Sequence, residues 1–178
     1  MFDPEIFINM NLKENIQRIL KIIKEDESSS MTSTGGWTIT YKNPMAIIQN
    51  PPDQWEGLKG DVNGKLQFKE MKYGVRAGVK NLKNSYFGKG STPTSLIKLF
   101  KKYAPAGHGS NDPTNYATFV ANQIGVKTTD QLTWDQYGKQ IARAIINMET
   151  GIPVGGEKNK VLGVTEDEFI TGFNLANG

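Results

Sequence analysis

Between Val75 and Gly151 the apolar residues recur three and four apart in four separate runs, each closed by a glycine or a proline. That period puts side chains on one face of a helix, so this part of the chain has to fold as short helices packed by their stripes. Val75, Val79, Leu82 and Tyr86 make the first stripe, with Gly88 as its stop. Leu96, Leu99, Phe100 and Tyr103 make the second, capped by Ser91 or Thr92 with Pro93 in its first turn and ended by Pro105. Asn111 or Asp112 followed by Pro113 starts the third, which turns Tyr116, Phe119, Val120 and Gln123-Ile124 inward before Gly125. The fourth opens at Thr133 and runs to Glu149, with Gly151 just past its end. Thr165-Glu-Asp-Glu168 is a capping box for a further, terminal helix.

Residues 37–73 carry a different pattern. Trp37-Thr-Ile-Thr-Tyr41 alternates and predicts a short strand. Asn43-Pro44 and Asn50-Pro51-Pro52-Asp53 are turn signals, and Gly60-Asp61-Val62-Asn63-Gly64 predicts a hairpin tip with Lys65–Phe68 returning as a strand. The fold class expected is therefore α+β, mainly α, with a small β-hairpin region. Ahead of it, Leu12, Ile16, Ile19, Leu20 and Ile23 form the stripe of an N-terminal amphipathic helix, followed by a polar run that ends in Gly35-Gly36. Residues 1–36 thus read as a helix and flexible linker, and residues 37–178 as the domain. An apolar helix on a tether is expected to dock on a partner or assembly.

Charge is distributed unevenly. The net charge of +3 divides into −2 for residues 1–36 and +5 for the rest, and Lys65–Lys102 holds ten basic residues against one acid, Glu70. Anionic polymers are the natural counterparts of such a surface, although a solvated face that keeps the chain soluble reads equally well. With no cysteine and a single histidine, His108, neither a disulfide nor a transition-metal centre is expected, and no cofactor is implied. No run approaches the length of a membrane span, and Met1–Met10 lacks the basic and apolar regions of a signal peptide. Action outside the cytoplasm would then depend on another carrier, such as a virion.

Glu149 is the residue with most chemical promise. Tyr137, Ile141, Ile145 and Glu149 lie four apart, so an apolar helix face ends in a carboxylate. Desolvation and the negative end of the helix dipole both oppose its ionisation, as a general acid near neutral pH requires. Spacing alone also admits an exposed, fraying terminal Glu, and favours that simpler reading.

The segment Ala144-Ile-Ile-Asn-Met-Glu-Thr-Gly151 resembles the helix end of lytic transglycosylases and related lysozyme-like enzymes. The stretch before it resembles a family of phage-borne lysozyme-like proteins. The shared order is Asn43-Pro44-Met-Ala-Ile-Ile48, Trp55-Glu-Gly57, Phe68, Tyr73-Gly-Val-Arg-Ala77, Tyr103-Ala-Pro105, Asn111-Asp-Pro-Thr-Asn-Tyr116 and Val120 ahead of Gly125-Val126. Because the acidic helix comes last here and first in the usual lysozyme-like order, the resemblance implies a circularly permuted fold. Two stretches depart from the family: Met45-Ala-Ile-Ile48 replaces the commoner Gly-Asn-Ile-Arg, and Ala106–Ser110 stands where the family is shorter and acidic.

The resemblance implies a lysozyme-like domain that cleaves the glycan strands of bacterial peptidoglycan. It makes Glu149 the acid that protonates the glycosidic oxygen and then takes the muramyl O6 proton. Paired-carboxylate hydrolysis would need a second acid. The candidates are Glu70 and Asp61, with Glu56 beside them, and each also reads as an ordinary turn or surface charge. Gln49, Asn50, Trp55, Tyr73 and Tyr116 are the expected substrate contacts, joined by Tyr41, although core packing explains each aromatic as well. Arg76 reads as a buried ion-pair partner or as a residue orienting Glu149. Lys72, Lys80 and Lys83 would make the rim positive.

The implied setting is a phage virion acting in the bacterial periplasm or cell wall, with peptidoglycan as partner and virion proteins meeting the N-terminal helix. The competing reading is a non-catalytic virion or cell-wall-binding protein that keeps the fold. Nucleic-acid binding is not expected, because Tyr and Phe of the basic stretch fall at helical core spacing instead of alternating with its lysines.

Overall fold

The computed structural model describes residues 36–48, 55–107, 111–156 and 163–178. Over these the chain is mainly helical with one two-stranded antiparallel sheet, the α+β, mainly α class expected. The N-terminal amphipathic helix and linker expected at residues 1–36 lie outside the described residues, except for Gly36. In order the elements are α1 (Gly36–Thr40), β1 (Leu58–Val62), β2 (Lys65–Phe68), α2 (Met71–Tyr86), a single 3-10 turn at Gly88–Gly90, α3 (Leu96–Tyr103), α4 (Pro113–Ile124), α5 (Trp134–Thr150) and α6 (Glu166–Asn177).

The four stripes meet in one core. Val75, Val79 and Leu82 of α2 pack with Leu99 and Phe100 of α3, Val120 of α4, and Ile141 and Ile145 of α5. Helix ends fall where backbone chemistry requires them. Asp112 accepts from the N–H groups of Thr114 and Asn115 and Pro113 occupies the first turn, while Gly151 at φ +67° closes α5 in the left-handed conformation. The capping box is present: the Thr165 hydroxyl accepts from the Glu168 N–H, and the Glu168 carboxylate accepts from the Thr165 N–H. Helix α6 lies along α2, and Phe173 stacks on Trp134 of α5 at 6.0 Å. An Arg143–Glu166 ion pair joins α5 to the first turn of α6. Residues 163–178 therefore close the core.

The hairpin pairs Val62 with Lys65, which leaves a two-residue turn at Asn63-Gly64. Both turn residues have positive φ, 53° and 79°, as a tight hairpin needs. Strand β1 thus runs through Gly60 and Asp61, which the sequence placed in the tip. A second small cluster of Ile47, Leu66, Phe68 and Ala77 packs beneath the sheet.

Three other expectations change. Trp37–Tyr41 is a helical turn and not a strand: Tyr41 N–H donates to the Trp37 carbonyl, and the two rings sit 6.1 Å apart. Alternation over five residues also places the first and fifth on one helix face, so the pattern could not separate the two. The cap of α3 is Ser95, not Ser91 or Thr92, because Thr94 is taken by reciprocal backbone hydrogen bonds with Leu132. Gln123 is exposed while its neighbour Ile124 packs against the core, since a helix turns about 100° between adjacent residues.

The connection from α1 to the hairpin is held tightly. Asn43 is fully buried; its amide donates to the carbonyls of Ile47 and Leu66 and accepts from the Ile47 N–H. Lys42 and Ala46 on either side adopt left-handed φ of 53° and 51°. Asn43→Ala should cost about 1–3 kcal/mol, because it strands a buried N–H. Chemical denaturation of the two proteins checks this, and an unchanged midpoint would contradict it.

Candidate active site

Four elements converge on the end of α5. Helix α1 is pinned there through the Thr38 hydroxyl, which donates to the Glu149 carbonyl at 3.4 Å. Thr150 turns its hydroxyl back to the Ile146 carbonyl and ties off the last turn of α5. From α4, the Tyr116 hydroxyl donates to Oε1 of Glu149 at 3.0 Å. From α3, Phe100 lies 5.4 Å from the Tyr116 ring and 5.8 Å from Tyr103, whose hydroxyl donates to the Met45 carbonyl at 2.6 Å. The loop after α1, the C-terminal half of α3 and the first turn of α4 are thereby fixed around one carboxyl group.

That carboxyl is half-buried. Burial holds Glu149 above the usual carboxylate range, and the Tyr116 hydrogen bond pulls it part of the way back. Burial also raises Tyr116 and Tyr103, and the charge of Glu149 raises both further. Both phenols therefore stay protonated, and Tyr116 acts as a hydrogen-bond donor to the acid. Among the described residues the ion pairs are Lys72–Glu70, Arg76–Glu56 and Arg143–Glu166, and Glu149 takes part in none of them. Its Oε2 has no hydrogen-bond partner among these residues. The arrangement suits a proton donor that works without a compensating cation.

The other expected site residues fall elsewhere. Of the expected substrate contacts, Tyr116 is joined to Glu149 by a direct contact. Trp55 and Tyr73 are half-buried and pack against the small cluster below the hairpin, with Gly57 at φ +73° lying against the Tyr73 ring. Gln49 and Asn50 lie outside the described residues. Tyr41 packs against Trp37, and its carbonyl accepts from Phe68 N–H.

Each candidate for a second carboxylate has a local partner. Asp61 accepts from the Gly64 N–H in the hairpin, Glu70 pairs with Lys72 at 2.8 Å, and Glu56 pairs with Arg76 at 3.1 Å. Arg76 accordingly serves Glu56 and does not orient Glu149. Of the lysines expected at the rim, Lys72 also lies over Tyr73, and Lys83 reaches Asn177 and the face of Trp134.

Thr38 and Tyr103 are the neighbours of Glu149 that sequence reasoning left without a role. Tyr103 carried a signal, as the last member of its stripe beside Pro105; Thr38 carried none. Among the described residues no group of three His, Asp or Glu side chains could hold a metal ion, and no helix is long and apolar enough to cross a membrane.

No protein-family model matches the chain. Over 114 residues it is 33% identical to Protein P5 of Pseudoalteromonas phage PM2, covering 61% of this chain and 68% of the phage protein. The chain belongs to the family of Protein P5. Membership ties the protein to a bacteriophage relative. The name Protein P5 states no activity, so the chemistry rests on the residues around Glu149.

Proposed function

We propose that the protein cleaves the glycan strands of bacterial peptidoglycan, with Glu149 as general acid and then general base. The observation that carries the reading is a carboxyl raised by burial, held by a tyrosine hydroxyl and paired with no cation among the described residues. In the order of events, Glu149 gives its proton to the glycosidic oxygen as the bond from the muramyl C1 breaks. The resulting carboxylate takes the proton of the O6 hydroxyl as that oxygen closes on C1. A 1,6-anhydro end is left, and Glu149 is restored to its acid form.

This lytic transglycosylase chemistry uses one carboxyl group. It is favoured over hydrolysis because Glu56, Asp61 and Glu70 are each engaged locally. The lysozyme-like fold, in permuted order, belongs to the same reading and rests on the motif series ending at Glu149. Kinship with a phage protein supports delivery by a virion to the periplasm or cell wall, where residues 1–36 would meet virion proteins.

The reading is tested by turbidity loss of purified peptidoglycan as a function of pH, with the parent protein and with Tyr116→Phe. A general acid works only while protonated, so activity falls as pH rises through its pKa. The Tyr116 hydroxyl lowers that pKa. Its removal should move the alkaline limb of kcat/KM to higher pH. An alkaline limb that stays in place, or moves down, would contradict the assignment.

A further inference from the structure

The basic stretch identified in the sequence is divided by the fold. Lys65 lies over Trp37, Lys72 pairs with Glu70, Arg76 pairs with Glu56, and Lys83 is held by Asn177. Lys69, Lys80 and Lys89 are scattered over separate elements, whereas Lys98, Lys101 and Lys102 are clustered. They stand three and four apart on α3, all exposed, and among the described residues none of their ammonium groups has an ion pair or hydrogen bond. The nearest acid in the following segment, Asp112, is occupied in capping α4. The opposite face of this short helix supplies Phe100 and Tyr103, which flank Tyr116 and Glu149.

We propose that Lys98, Lys101 and Lys102 form an electrostatic docking face for the stem-peptide carboxylates of the peptidoglycan sacculus. The inference rests on the reading of Glu149 as a glycan-cleaving acid and names what holds the polymer beside it. Charge complementarity carries it: three unpaired cations on one face meet a wall whose peptides repeat carboxylates along each strand. Nucleic acid fits less well, because the aromatic residues of α3 turn into the core and leave no stacking surface among the lysines.

The test is co-sedimentation of the full chain with purified sacculi, alongside a Lys98→Gln, Lys101→Gln, Lys102→Gln triple variant. Salt is raised from about 0.1 M to about 1 M, over which the screening length falls from about 10 Å to about 3 Å. Retention of the parent should fall steeply with salt. The triple variant should bind at least about tenfold more weakly at the low end, given the worth of a lysine near an anionic surface. The matching Lys→Arg triple should restore binding. The three single Lys→Gln variants, each at an exposed position, should give stepwise losses and serve if the triple variant misfolds.

Sacculi stripped of stem peptides should hold the parent no better than intact sacculi hold the triple variant. Sedimentation reads retention on the wall whether or not a bond is cut, so loss of the catalytic reading would leave this result standing. Equal retention of parent and triple variant, equal binding to stripped sacculi, or salt-sensitive binding to DNA alone would overturn the proposal.

Discussion

Glu149→Gln should reduce clearing of purified peptidoglycan by roughly 10²–10⁴-fold, the range that a positioned proton donor contributes, while leaving the fold intact. Glutamine keeps the oxygen that accepts from Tyr116 and cannot deliver a proton. The stability consequence has a definite sign. Burial raises the folded-state pKa of Glu149 above its unfolded value. Folded protein therefore binds more protons between the two values, and stability falls as pH rises from the unfolded to the folded pKa. Above that window the parent carries a buried charge that the variant lacks. Glu149→Gln should be at least as stable as the parent at neutral pH and should lose the advantage below the ordinary carboxyl range. Thermal melts across pH check this. A variant that is less stable at neutral pH would show that the carboxylate is a structural ion.

Gly74→Ala should be the most damaging small substitution in α2. A Cβ at this position would sit 1.8 Å from the Lys42 carbonyl oxygen and 2.9 Å from Pro44. Neither neighbour can move freely. Lys42 already has φ +53°, and Asn43 between them is clamped by three hydrogen bonds. Relief would require the loop to lift from α2, breaking the Met45 contacts at Gly78 and the hydrogen bond from Tyr103 to Met45. The expected cost is about 3 kcal/mol, at the upper end of overpacking effects, which for a domain of this size lowers Tm by roughly 10 °C. Activity should fall as well, because the same loop anchors Tyr103 beside the site. A Tm within a degree or two of the parent would mean that the loop is not seated on α2.

What the residues disclosed in advance follows from range. The helical stripes, the Asp112-Pro113 start, the Gly151 stop and the Thr165 capping box are local patterns, and each is found in place. Trp37–Tyr41 was too short for its period to be decided. The cap of α3 moved to Ser95 because Thr94 pairs with Leu132, a contact some forty residues away along the chain that no local pattern encodes.

Long-range contacts also govern the site. Glu149 stood out as a carboxylate ending an apolar face, and Tyr116 was a candidate aromatic. Their hydrogen bond depends on α4 packing against α5. Thr38 reaches Glu149 across 111 positions. The loop from Lys42 to Met45 lies across Gly74 and Gly78, a close approach that no local pattern encodes.

Mass analysis of fragments released from purified sacculi by the full chain and by Glu149→Gln decides whether Glu149 is the acid of a glycan-cleaving site. Muropeptides with 1,6-anhydro ends should come from the parent and none from the variant. Fragments released equally by both, or no fragments from a parent that is folded and bound to the wall, would contradict that role.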